Sequence, residues 1–211
     1  MILRACRRIL ANEERLSSLD AACGDGDHGV SMARGFRAVA AKLESEVYES
    51  PAALLRAVGM TLVSSIGGAT GPLMGTLFLE AGKVLEGAEV PAHAGIDTRS
   101  LAAAFRAGLE GVRRRGGAKP GEKTMVDALL PAVEALEAAA KVGESPAAAL
   151  ARAAQAARAG AEATAGMVAG QGKARYLGQR AVGHEDAGAN SIAFIFEAFA
   201  EEEEGPKEDP T

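Results

Sequence analysis

Apolar residues recur along this chain in stripes of helical period. Leu101, Phe105, Leu109 and Val112 fall at i, i+4, i+8 and i+11, and Met125, Leu129, Val133 and Leu136 repeat the pattern. No stretch alternates apolar and polar residues long enough to predict a strand. Ser50-Pro51 and Ser145-Pro146 each read as an N-cap followed by proline at the first helical position. Pro72 opens a further helix, and Thr124 with Asp127 resembles a capping box with Asp in the Glu position. The pattern predicts about eight helices, over roughly 2–18, 30–46, 51–64, 72–86, 146–168 and 190–201, with two more carrying the stripes from Leu101 and from Met125.

Between these stripes lie polar, glycine-rich segments at 19–29, 66–71, 116–121 and 169–189, and a looser connection at 87–97. The expectation is an all-α chain in a single domain over 1–200, with helices packed as antiparallel neighbours, and an acidic, disordered tail over 201–211. Its 211 residues, 48% of them hydrophobic, suffice for one full core. Only 4% are aromatic and Trp is absent, so small side chains, alanine above all, must let the helices approach closely. A net charge of −5 argues against nucleic acid as the main partner. No apolar run reaches the roughly 20 residues that cross a bilayer. The start, MILRACRRIL, is too short and too charged for a secretory signal, so the mature chain is expected to begin near Met1. Cys6 and Cys23 lack metal or redox spacing and are expected to be reduced thiols in the cytoplasm.

The chemistry is concentrated in Asp20-Ala-Ala-Cys-Gly-Asp25-Gly-Asp27-His28-Gly29. Asp20, Asp25 and Asp27 stand at i, i+5 and i+7, a spacing that no single helix face gathers, so a turn must bring them together. Three carboxylates at one point repel each other, and a divalent cation removes the repulsion. The alternative is that they cap the following helix, whose N-terminus favours negative charge. The spacing is not that of an EF-hand, since the twelfth residue from Asp20 is Ser31. Gly24-x-Gly26-x-x-Gly29 matches the dinucleotide fingerprint in form, but it lacks the preceding strand and carries two aspartates that would repel a bare pyrophosphate.

Other loops offer weaker signals. Gly116-x-x-x-x-Gly121-Glu122-Lys123-Thr124 fails as a P-loop because Glu122 separates glycine from lysine. Gly67-Gly68-Ala69-Thr70-Gly71 precedes a helix, whose free amides bind anions; it could equally be a tight turn with Thr70 as N-cap. The segment 170–188 carries Lys173, Arg175, Arg180, His184, Glu185 and Asp186, a length that favours function over mere connection. His28 and His184 are candidate bases, although a lone histidine more commonly serves as a hydrogen-bonding residue.

Taken together, LDAACGDGDHG (19–29), SSIGGATGPLMGTLF (64–78), GAKPGEKTMVDALLPA (117–132) and GKARYLGQRAVGHEDAGA (172–189) resemble, in order, the nucleotide-binding L subunit family of dihydroxyacetone kinases. The resemblance implies a barrel of antiparallel helices holding ADP or ATP with two magnesium ions in loops at one end. Carried over motif by motif, it makes Asp20, Asp25 and Asp27 the magnesium ligands. His28, Gly29, Val30 and Ser31 would contact the nucleotide at a helix start, and Ala69 and Thr70 would hold phosphate. Gly116 and Met125 would flank adenine and ribose, while Lys173, Asp186, Ala187 and Gly188 would close over the nucleotide. Ser31, Lys173 and Ala187 stand where Asn, Arg and Pro are common, and Lys lacks the bidentate fork that Arg offers phosphate.

The resemblance further implies a partner K subunit that binds dihydroxyacetone covalently through a histidine. In one form of the family, a phosphoprotein of the sugar phosphotransferase system rephosphorylates a resident ADP; in the other, ATP exchanges. A freestanding chain of this length favours the first. The alternatives are an ATP-exchanging subunit for another small ketose or polyol, a regulatory binding module, and a magnesium-dependent phosphohydrolase acting alone.

Overall fold

Residues 1–86 and 95–201 are described by a computed structural model. Among them are nine α-helices and no strand: α1 (Ile2–Ala11), α2 (Glu13–Cys23), α3 (His28–Ser45), α4 (Pro51–Ser65), α5 (Thr70–Val84), α6 (Thr98–Gly116), α7 (Val126–Val142), α8 (Pro146–Ala163) and α9 (Ala187–Ala200). A 3-10 turn, Thr164–Gly166, and a 3-10 segment, Lys173–Ala181, lie between α8 and α9. The described residues form a single all-helical domain. Residues 87–94 and 202–211, which hold most of the expected loose connection and nearly all of the acidic tail, lie outside the described residues.

Local chemistry sets most boundaries. The Ser50 and Ser145 hydroxyls accept the amides of Ala53 and Ala148, as the Ser-Pro pairs predict. The capping box at α7 forms by half: Asp127 accepts the Thr124 amide at 2.8 Å, while the Thr124 hydroxyl accepts Val126 rather than Asp127. The expected first helix is two. Asn12 adopts φ −113°, ψ 18° and its side chain donates to the Arg8 carbonyl at 2.8 Å, closing α1. Glu13 and Glu14 then start α2, where a helix N-terminus favours acids. Thr70 is the first residue of α5 and makes no side-chain cap, and α9 starts at Ala187, three residues before the expected Asn190.

Each helix from α3 to α9 packs on the next, and α1 touches both α9 and α3, so the order of contacts closes on itself. The alanines perform the close packing. Ala149, Ala153, Ala157 and Ala161 form one buried line on α8, facing an α7 that buries Ala128, Ala132 and Ala139. Phe105 of α6 meets Phe196 and Phe199 of α9 with ring centroids 4.9 and 6.1 Å apart, filling the interior. Both sequence stripes are buried throughout. No helix among the described residues is long and apolar enough to cross a membrane.

Candidate functional site

The acidic segment divides between helix and turn. Ala21 and Ala22 carry α2 on to Cys23, so Asp20 sits in its last turn. Gly24 to Asp27 reverse the chain, with Gly26 at φ +77°, a conformation that glycine adopts without strain. Asp27 then precedes α3. The reversal brings one carboxylate oxygen each of Asp20, Asp25 and Asp27 within 4.8 Å of one another. Asp25 and Asp27 are exposed, and Asp20 is half-buried. Hard oxygens at this spacing, open to solvent on one side, could hold a magnesium ion that keeps water or phosphate in its remaining positions.

The turn is held from behind. Gly29 abuts α2 so closely that a Cβ there would stand 2.0 Å from the Glu13 carbonyl oxygen. His28 is buried; its amide donates to Asp20 Oδ2 at 3.2 Å and its Nε2 lies 2.8 Å from Ser191 Oγ on α9. Ser191 donates its one proton to the Ala187 carbonyl at 3.1 Å, so the hydrogen-bond network assigns the proton to His28 Nε2. Burial lowers the His28 pKa, against the opposing pull of Asp20 and Asp27. His28 thus supports the turn from behind.

Segment 169–189 is joined to the aspartate cluster and to segment 117–126 by polar contacts. Lys173 Nζ pairs with Asp25 Oδ2; the pairing lowers the Asp25 pKa and raises that of Lys173. The Gly170 amide donates to the Glu122 carbonyl at 3.0 Å, joining 169–189 to 117–126. Asp127 Oδ1 accepts the Gly121 amide at 2.5 Å, which folds the 117–126 segment back on α7. A Cβ on Gly116 would lie 3.0 Å from Leu73 Cδ2 in the first turn of α5. Arg34 of α3 donates to the Ser65 carbonyl at 2.8 Å, beside the 66–70 segment.

The expected residues therefore fall in four groups. Asp20, Asp25, Asp27 and Lys173 are in one cluster. His28, Gly29, Val30 and Ser31 form the first turn of α3, with Val30 exposed. Met125 and Gly188 are neighbours, a Cβ on Gly188 falling 3.5 Å from Met125 Cβ. Asp186 caps α9 by accepting the Ala189 amide at 2.7 Å, and burial pushes its pKa up to about 7. Ala69 and Thr70 start α5, and no hydrogen bond links them to the aspartate cluster. His184 contributes its backbone carbonyl, not its ring, to the hydrogen bonding.

Residues 22–201 match the DAK2 domain family. The chain belongs to that family. It is 40% identical over 199 residues to the ADP-binding subunit DhaL of the PEP-dependent dihydroxyacetone kinase of Escherichia coli, covering 94% of this chain and 92% of the relative. It is 36% identical to the ADP-binding subunit DhaL of the PTS-dependent dihydroxyacetone kinase of Lactococcus lactis, covering 92% and 90%. The dihydroxyacetone kinase of C. freundii, crystallised with AMP-PNP and Mg2+, superposes with a TM-score of 0.71 at 32% identity over 94% of this chain. This chain spans 32% of that longer protein.

Two residues of this DAK2 domain escape a reading of the sequence. Ser191 is one of three polar positions, with Asn190 and Glu197, in ANSIAFIFEAFA, and its spacing gives no sign of a partner on α3. Lys123 sits in a glycine-rich loop, where a lysine ordinarily faces solvent, yet it is only 2% exposed. Nothing in its spacing signals that burial.

Proposed function

We propose that this chain holds a magnesium–adenine nucleotide at the end where these segments converge, and serves as the nucleotide-binding subunit of a dihydroxyacetone kinase. The observation that carries this reading is the convergence of three carboxylate oxygens within 4.8 Å on the α2–α3 turn of a DAK2 domain. In this reading Asp20, Asp25 and Asp27 hold two magnesium ions, which neutralise charge on the transferring phosphoryl group when bound. Amides at the start of α3, from His28 to Ser31, and of α5, at Ala69 and Thr70, present the positive ends of their helices to phosphate. Gly116 and Met125 flank adenine and ribose. Lys173, Asp186, Ala187 and Gly188 close over the nucleotide, Lys173 exchanging its Asp25 carboxylate for a phosphate oxygen.

The acceptor is dihydroxyacetone on a partner K subunit, and the donor is a phosphoprotein of the phosphotransferase system acting on resident ADP. The PEP-dependent and PTS-dependent kinases to which the two DhaL relatives belong support that choice. Residues 1–200 act as the nucleotide-binding domain, and the site of action is the cytoplasm. The test is reconstitution of the chain with a K subunit, dihydroxyacetone and a phosphotransferase system fed by phosphoenolpyruvate. Dihydroxyacetone phosphate should form at many turnovers per bound nucleotide without added ATP. Formation only in proportion to added ATP would instead identify an ATP-exchanging subunit.

A further inference from the structure

Lys123 stands out on three independent counts. It is the one non-glycine residue with positive φ among the described residues, at +60°. It is buried, and its ammonium group donates to two main-chain carbonyls, Thr164 at 2.6 Å and His184. A buried ammonium is costly even when hydrogen-bonded, and burial lowers its pKa accordingly. A strained backbone and a buried charge at one residue call for a purpose beyond filling space.

The bonds around Lys123 lead to the aspartate cluster. Thr164, whose carbonyl Lys123 holds, accepts the Asp186 amide on its hydroxyl at 2.8 Å. Asp186 caps α9, and Ser191 in the second turn of α9 bonds His28. His28 in turn donates its amide to Asp20. The other carbonyl, that of His184, lies two residues before Asp186. One side chain therefore pins the segment 182–186 to the end of α8, and that segment fixes the start of α9 on which His28 leans. The acidic groups facing Lys123 are Asp186 and Glu185, with the Cys23 thiol beside it.

We propose that Lys123 is a positioning residue for the nucleotide site: its buried cation sets the 182–188 segment and, through Ser191 and His28, the carboxylate of Asp20. The proposal rests on the nucleotide reading above. A purely architectural lysine would stabilise the fold without bearing on ligand affinity. Lys123 acts instead as an outer support of the ligand-holding residues, whose loss commonly weakens metal affinity about 10- to 100-fold.

The test compares the full chain with Lys123→Met, Lys123→Arg and Arg106→Ala. Arg106 pairs with Glu137 between α6 and α7, away from the site, and serves as a control for lost stability alone. Helical content and melting temperature report folding. Calorimetric titration with ADP at saturating magnesium, and with magnesium at saturating ADP, reports the site. Hydrogen exchange at the Ala189 amide reports the α9 cap. Lys123→Met should keep its helical content, bind magnesium and ADP at least about tenfold more weakly, and exchange the Ala189 amide faster. Lys123→Arg should recover part of the affinity, and Arg106→Ala should bind as the parent does. Affinity within twofold of the parent in a folded Lys123→Met would overturn the proposal. Should Lys123→Met fail to fold, Lys123→Arg decides: parental affinity overturns the proposal, and reduced affinity supports it. If the parent binds but the Lys123 variants bind equally well, only the positioning role fails. If the parent binds no magnesium–ADP, the nucleotide reading fails and this proposal with it.

Discussion

His28 Nε2 lies 2.8 Å from Ser191 Oγ, a buried contact that spans 163 residues and ties the α2–α3 turn to the last helix. It makes the orientation of the α2–α3 turn depend on α9. It also gives the buried imidazole a partner that its surroundings do not otherwise supply.

Ser191→Ala should therefore cost about 1–3 kcal/mol of stability, because a buried ring N–H loses its acceptor. Urea unfolding followed by circular dichroism measures it. The same variant should bind magnesium–ADP more weakly. A loss of stability without any change in binding would mean that the contact supports the fold but not the turn.

Asp25 and Lys173 are both largely exposed, so their ion pair contributes little to folding. Asp25→Asn and Lys173→Ala should both melt at the parental temperature. Their effects on binding should differ. Asp25→Asn should abolish magnesium-dependent nucleotide binding, whereas Lys173→Ala should free Asp25 for metal and weaken only the nucleotide. Unchanged nucleotide affinity in Asp25→Asn would remove Asp25 from the metal site.

Gly29→Ala forces a methyl group into the Glu13 carbonyl, which belongs to the backbone of α2 and cannot rotate away. The expected loss is about 1–3 kcal/mol or somewhat more, with α2 and α3 pushed apart at the turn that joins them. Thermal melting in parallel with magnesium titration should show both effects. A parental melting temperature would mean that the α2–α3 approach is looser than described.

Asp186 gives a pH signature in metal-free buffer. Its carboxyl titrates ordinarily at 3.8 and at about 7 when folded, because burial outweighs the Ala189 cap and nearby Lys123. The folded state thus holds a proton that the unfolded chain has released, and this group's stabilisation fades as pH rises from about 4 through 7. Asp186→Asn keeps an acceptor for the Ala189 amide and removes the charge. Its melting temperature should gain on the parent steadily across that window. A difference that does not vary with pH would show that Asp186 is ionised throughout.

Much of this architecture was legible in the sequence. The stripes through Leu101 and Met125 are buried as their period requires, and Ser50 and Ser145 cap as their Pro neighbours require. The convergence of the three aspartates was legible because their spacing fits no single helix face, so a turn has to gather them. What escaped depended on partners distant in the chain. Asn12 breaks the first helix through its own side chain, a choice local propensity does not force. The first turn of α9 exists because Asp186 reaches Ala189 and Lys123 holds the segment before it. Lys123 combines a positive φ with side-chain bonds to two carbonyls, 41 and 61 residues away, which local sequence does not reveal.

In the proposed reading, the aspartate cluster binds adenine nucleotide through magnesium. It is tested most directly by calorimetric titration of ADP into the purified, nucleotide-stripped chain, with magnesium and again with excess chelator. One ADP should bind per chain in the presence of magnesium, and none in its absence. Equal binding with and without magnesium, or no binding in either, would contradict it.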